Sequence, residues 1–282
     1  MGAAHRKFGV SAGIAAVSIV VLAAGPALAA RARPVAAAPG TAAVDLGTLP
    51  GGTGSGAMGV NPAGQIVGYS STSGAVGVKA VLWDRSGPAS FRITDLGTLP
   101  GGEGSFASGI NAAGLVVGSS GVTGASHAAV WTPTGSGSFR VTDLGTLPGG
   151  LLSSASHVND AGVIAGYSDT AQAVTHAAVW TPTGSGSYRI TDLGTLPGDT
   201  LGFASAIDSN GRVAGLSANA AADSHGAVWS PTGSGSFSVD HLEPLPGAAS
   251  SAANAINDAG LVAGSSFGPA GPERAVAWIT EQ

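Results

Sequence analysis

Residues 95–132 read DLGTLPGGEGSFASGINAAGLVVGSSGVTGASHAAVWT, and the same grammar returns along most of the chain. The run Asp-Leu-Gly-Thr-Leu-Pro-Gly begins at Asp45, Asp95, Asp143 and Asp192, with a degraded fifth copy from His241 to Gly247. All five tryptophans, Trp83, Trp131, Trp180, Trp229 and Trp278, keep that period, with spacings of 48, 49, 49 and 49 residues. A third marker, Asn/Asp-x-x-Gly, recurs at Asn61, Asn111, Asn159, Asp208 and Asn257. Three independent markers with one period make the chain a tandem of five units. A unit of this length buries its faces only by stacking on its neighbours.

Inside the quoted unit, four short strands alternate with turn chemistry. Phe106–Ile110 runs into Asn111-Ala112-Ala113-Gly114, an Asn-opened, Gly-closed turn of type I. Leu115–Ser119 and His127–Thr132 follow, and Pro133-Thr134-Gly135-Ser136-Gly137 reverses the chain into Phe139–Leu147. Pro148-Gly149-Gly150 ends that strand, because proline donates nothing to a ladder and glycine permits the bend. No stretch beyond the N-terminal leader carries sustained apolar residues at helical spacing. The pattern predicts an all-β fold: a five-bladed β-propeller of four-stranded antiparallel blades over residues 44–282. The tryptophans are expected to wedge between blades. Small residues in one register of the first strand (Ala57, Ala107, Ala155, Ala204, Ala253) suit the crowded axis. The chain enters this region with a fourth strand, Asp45–Leu49, and leaves it with a third, Ala275–Ile279. The N-terminal strand is therefore expected to pair with the last one and close the ring.

Ahead of the repeats stand His5-Arg6-Lys7, an apolar stretch from Phe8 to Ala24, and the small-x-small site Ala27-Leu28-Ala29. Residues 1–29 read as a secretory signal peptide, and residues 30–43, with Pro34 and Pro39, as an Ala/Pro linker. The apolar stretch is short for a membrane span and stops at Gly25-Pro26. The expectation is a secreted, extracellular protein without a span after cleavage. The absence of cysteine rules out disulfide frameworks and thiolate-held zinc or iron–sulfur centres. With 11 Lys+Arg against 16 Asp+Glu the chain lacks the basic footprint of a nucleic-acid binder. Its 44% hydrophobic content is too high for a disordered acidic chain.

Leu96–Gly102, Ala107–Gly118 and His127–Trp131, with counterparts in each copy, resemble the HAF-repeat family of extracellular bacterial proteins across residues 45–278. The resemblance departs at the tripeptide itself: His127-Ala128-Ala129, His176-Ala177-Ala178 and His225-Gly226-Ala227 have no phenylalanine. It implies secretion and repetition and says little of activity. The strand order is also similar to kelch propellers.

Strand alternation sends the turns to two ends. The first-to-second turns are nearly uniform, and the third-to-fourth turns repeat Pro-Thr-Gly-Ser-Gly-Ser from Pro133, Pro182 and Pro231. The other end differs from unit to unit, and diversified loops on a rigid frame are where binding resides. Its acidic residues Glu103, Asp169, Asp199 and Asp223 are candidate ligand groups, with Glu273 available beside them. His157, an imidazole where other units have Gly59, Gly109, Ala206 and Ala255, is a fifth candidate. Four residues before each tryptophan stands Lys79, His127, His176, His225 or Arg274. This row is read as cross-strand pairing with Asp95, Asp143, Asp192 and, through closure, Asp45, while His225 faces His241 and lacks an acid. The alternative is a ring that attracts an anion. Gly264-Ser265-Ser266-Phe267-Gly268 matches a nucleophile pattern without its helix, and no metal or cofactor motif is present. The reading is a monomeric, non-enzymatic binding module for a glycan or an envelope or other extracellular protein. The alternatives are a carbohydrate-active enzyme with two opposed carboxylates and a structural envelope component.

Overall fold

The computed structural model describes residues 43–73, 77–184, 186–233, 235–268 and 271–280. The expected leader and residues 30–42 of the linker lie outside them. The described residues form strands, turns and loops, with no helix among them. The first sheet takes β1 (Ser55–Val60), β2 (Ile66–Ser71), β3 (Val78–Gly87) and β4 (Ser90–Asp95). The second takes β5 (Ser105–Ile110), β6 (Val116–Val122), β7 (Ala125–Pro133) and β8 (Phe139–Gly145). The third takes β9 (Ser153–Val158), β10 (Ile164–Asp169), β11 (Thr175–Gly184) and β12 (Ser187–Gly194). The fourth takes β13 (Leu201–Ile207), β14 (Val213–Ala218), β15 (Ser224–Gly233) and β16 (Ser236–Leu242). The fifth has three strands, β17 (Ser250–Ile256), β18 (Leu261–Gly268) and β19 (Gly271–Ile279). Within each sheet, every strand pairs antiparallel with the next.

The third strands read as short continuous apolar runs because both faces are covered. Ala128, Ala129, Val130 and Trp131 are all buried in β7. Even-numbered members of such a run face one neighbouring sheet and odd-numbered members the other. Trp131 thus lies against Val67, Ala80 and Leu82 of the first sheet, while Val130 and Ala128 lie against Trp180 of the third. Trp229 meets Val179 and Ala177 in the same way. Trp83, Trp131, Trp180 and Trp229 are all buried, as expected of wedges. The Nε1 of Trp131 donates to Gly97 O at 3.3 Å; those of Trp83, Trp180 and Trp229 are buried without a partner among the described residues.

The glycine that recurs in every second strand has a steric cause. Gly166 pairs with Ala155 of β9, and a Cβ on it would lie 2.1 Å from Ser154 O. Gly68, Gly118, Gly215 and Gly264 meet the corresponding carbonyls of Gly56, Phe106, Phe203 and Ala252 as closely, so only hydrogen fits there. The first strands bulge beside this contact and approach one another from sheet to sheet. A Cβ on Gly59 would lie 3.4 Å from Gly109 Cα, and one on Gly109 would lie 3.5 Å from His157 Cα. Small residues occupy this register because backbone meets backbone.

Closure differs from expectation. Residues Val44–Leu49 form no strand, and the fifth sheet ends at β19 without a fourth partner among the described residues. The segment instead lies on the first sheet. Leu49 N–H donates to Ser70 Oγ at 2.9 Å, and Leu46 and Leu49 cover Trp83 together with Phe91 and Ile93. The same bond joins Leu99 to Ser120, Leu147 to Ser168, Leu196 to Ser217 and Leu245 to Ser266. The N-terminal arm therefore holds the sheet that follows it, as every later Leu-Pro tail does. The sheet it was expected to complete is the one it does not reach.

Candidate functional site

The loops joining second to third strands, and the tails joining one sheet to the next, share one end of the array. Lys79, His127, His176, His225 and Arg274 stand at the head of the third strands on that end. Two of the expected pairs form: His127 Nδ1 lies 2.9 Å from Asp143 Oδ2, and His176 Nδ1 lies 2.9 Å from Asp192 Oδ2. The two that involve long cations do not. Lys79 Nζ donates instead to Glu103 O at 2.7 Å, on the tail that leads to the second sheet. Arg274, left beside the open edge of β19, has no carboxylate within ion-pair distance among the described residues.

The unit expected to lack an acid has two. His225 Nδ1 lies 2.9 Å from Asp199 Oδ2, a carboxylate whose side chain is only 3% exposed. The His225 ring meets His241 edge to face at 5.3 Å, and His241 Nδ1 lies 3.1 Å from Glu243 Oε1. Glu243 is open to solvent at 81% exposure, and its carbonyl accepts the Trp278 indole N–H at 2.8 Å. Asp199, His225, His241 and Glu243 therefore form one chain across the fourth sheet and its flanking tails. A carboxylate beside Nδ1 favours the tautomer protonated there and leaves Nε2 as an acceptor. Sequence reasoning placed Asp199 among free ligand groups; the fold spends it on His225. The signal was the second glycine of Leu-Pro-Gly-Gly. A Cβ on Gly52, Gly102 or Gly150 would strike a backbone carbonyl at 2.2, 1.9 or 2.0 Å, whereas the fourth unit has Asp199 in that register.

The remaining candidates are not gathered into a site. Asp169 accepts from Thr175 Oγ1 at 2.9 Å, and Asp223 from Asn219 Nδ2 at 3.0 Å, each inside its own loop. Glu103 is exposed on its tail, and Glu273, expected on a loop, is exposed within β19. His157 is accessible to solvent, yet burial among surrounding atoms lowers its pKa from the ordinary value. Burial likewise raises the pKa of Tyr167, whose ring meets Phe203 of the next sheet at 5.2 Å. A hollow of about 360 Å³ lies between the tail Leu245–Ala248 and Phe267, Pro272 and Arg274 of the fifth sheet. Among the described residues no group of three His, Asp or Glu side chains is placed to hold a metal ion.

No protein-family model matches the chain, and no curated protein sequence does. Among solved structures it is similar to the PQQ-bound form of aldose sugar dehydrogenase from Streptomyces coelicolor. The identity is 14% and the TM-score 0.36, over 82% of this chain and 84% of that one. A likeness of that strength carries no functional argument.

Proposed function

We propose that the chain is a secreted repeat protein whose sheets act as propeller blades, and that it binds an extracellular partner, a glycan or an envelope protein, through its varied end. The observation that supports this reading is the contrast between the two ends. One end repeats Asn-x-x-Gly turns and Pro-Thr-Gly-Ser-Gly reversals. The other presents Lys79, Glu103, the His–Asp pairs, Asp223 and Glu243 in a different combination on each sheet. Uniform turns maintain a frame, while polar groups that differ between equivalent positions on a rigid frame give a surface its specificity. Imidazoles partnered at Nδ1 and exposed carboxylates are chemistry suited to hydroxyl-rich ligands.

A glycan array probed with the chain tests the proposal. Glu103→Ala and Glu243→Ala, both at exposed side chains, are expected to weaken binding at least tenfold, whereas Thr134→Ala and Thr183→Ala at the uniform end leave it unchanged. Equal loss from both ends, or no retained glycan or envelope protein, overturns it. Release of sugar from a bound glycan replaces it with the hydrolase alternative.

A further inference from the structure

Three of the four interior junctions share a serine bond, and three share an asparagine bond. The N–H of Ala80 donates to Ser105 Oγ at 2.9 Å, that of Ala128 to Ser153 Oγ at 2.8 Å, and that of Gly226 to Ser251 Oγ at 2.9 Å. Each serine hydroxyl then donates to a carbonyl of the tail that precedes it. Where the fourth unit has Gly202, the sheets come closer: a Cβ there would lie 2.9 Å from Ala177 N. At the uniform end, the side-chain amide of Asn61 donates to Asn111 O, that of Asn111 to Asn159 O, and that of Asn159 to Asp208 O, at 3.1, 3.1 and 2.9 Å. Asp208 has no amide to donate. Arg212, held on Asp208 Oδ2 at 2.7 Å, reaches Asn257 O and Asp258 O in its place. Asp258 in turn accepts Ser209 N–H at 2.9 Å, a bond that holds its carboxyl below the ordinary pKa. The junction chemistry survives the change of residue.

Both ends of the array carry one half of this junction. On the fifth sheet, Ala263, Ala275 and Ala277 stand where Val67, Ala80 and Leu82 or Val117, Ala128 and Val130 are buried, and all three are exposed. Leu261 beside them is 44% exposed and Ile279 84%. By the register of Ala80, the N–H and C=O of Ala275 point to the open edge of β19. Asn257 uses its Oδ1 on Ala259 and Leu261, and its amide has no acceptor among the described residues. On the first sheet, Ser55 Oγ already donates to Gly47 O but, among the described residues, receives no N–H, Asn61 O receives no side-chain amide there, and Val60 is 67% exposed. One end lacks what the other offers.

We propose that the chain associates head to tail with a second copy of itself, the first sheet of one molecule covering the open face of β17–β19 of the next. Ala275 N–H then meets Ser55 Oγ, Asn257 meets Asn61 O, and the arm Val44–Leu49 takes the vacant fourth-strand place beside β19. The register of Val81 with Asp95, Ala129 with Asp143 and Ala178 with Asp192 puts Asp45 opposite Val276. This is strand addition at a sheet edge combined with a heterologous interface, which propagates. It departs from the monomer expected from sequence. The interior junctions supply the occupant's chemistry, and both halves belong to this chain.

The chain contains no cysteine, so introduced thiols report alone. In the equivalent pair of the fourth junction, a Cβ on Gly226 lies 3.2 Å from Ser251 Oγ, within reach for a disulfide at Ala275 and Ser55. An equimolar mixture of Ser55→Cys and Ala275→Cys chains is expected to give a covalent heterodimer on mild oxidation, at least about tenfold above either chain alone. Adding Ala277→Arg to the second chain, at an exposed position, should abolish that gain because a charge is then desolvated in the contact. The doubly substituted chain should give a ladder of oligomers. A mixture that crosslinks no better than its parts overturns the proposal. So does a double variant that runs as a compact, internally crosslinked monomer, which would mean that the two ends join within one chain.

Discussion

The third and fifth sheets share a sequence pattern and differ in their neighbours. Trp180 is buried between β11 and the second sheet, and Val179 on the other face of the same strand is buried against the fourth. Trp278 is only half-buried, and Ala277 beside it is exposed. Burial in this molecule is a property of the junction, not of the unit. A unit flanked on both sides has two apolar faces covered, and the terminal unit has one, which is the nearest-neighbour logic of tandem repeats.

Changing the tryptophans gives the largest contrast. Trp180→Ala is expected to lower unfolding free energy by about 3–5 kcal/mol, as for a fully buried indole, and Trp278→Ala by well under half of that. Denaturant titrations of the two variants measure it, and equal losses would break the comparison. Next comes the carbonyl contact. Gly166→Ala forces a methyl onto Ser154 O and should cost about 1–3 kcal/mol, whereas Gly54→Ala, with open space around it, should be neutral. The two kinds of carboxylate differ less. Asp199→Ala strips the buried partner of His225 and should cost about 1–2 kcal/mol, against less than about 1 kcal/mol for Asp192→Ala at the more exposed pair with His176.

The smallest effect is on acid stability. Burial holds His157 below its ordinary pKa of 6.5, so as the pH falls through that value the unfolded chain takes up a proton that the folded chain resists. This group contributes nothing above that pH; stability is lost below it, down to the folded-state pKa. His157→Gln should therefore lose less thermal stability than the parent between about pH 7 and about pH 5. An identical acid slope in the two proteins would place the imidazole in open solvent.

The repeat was legible because three unrelated requirements share a period: a wedge of indole, a hydrogen-only position facing a carbonyl, and an asparagine turn. Their strands fall within a few residues of the sequence reading; Phe106–Ile110 became Ser105–Ile110, and His127–Thr132 became Ala125–Pro133. Closure was not legible. Asp45–Leu49 has the residues of a fourth strand, but the Leu49–Ser70 bond and the cover over Trp83 belong to the sheet that follows, and composition does not say which side of a tail is occupied. The pairs split by reach. Histidine is short and meets the aspartate across its own hairpin, whereas the longer Lys79 finds a carbonyl on the tail leading to the next sheet. The partner of His225 was hidden because it comes from a tail 26 residues upstream, at a position where three other units require glycine.

Hydrogen exchange at high dilution tests the difference between interior and terminal sheets most directly, because it reads the open edge residue by residue. Amides of β11 are expected to be strongly protected, while alternate amides of β19, those in the register of Ala275, exchange rapidly and gain protection as concentration rises. Equal protection of β11 and β19 at every concentration, down to the most dilute, would contradict the account.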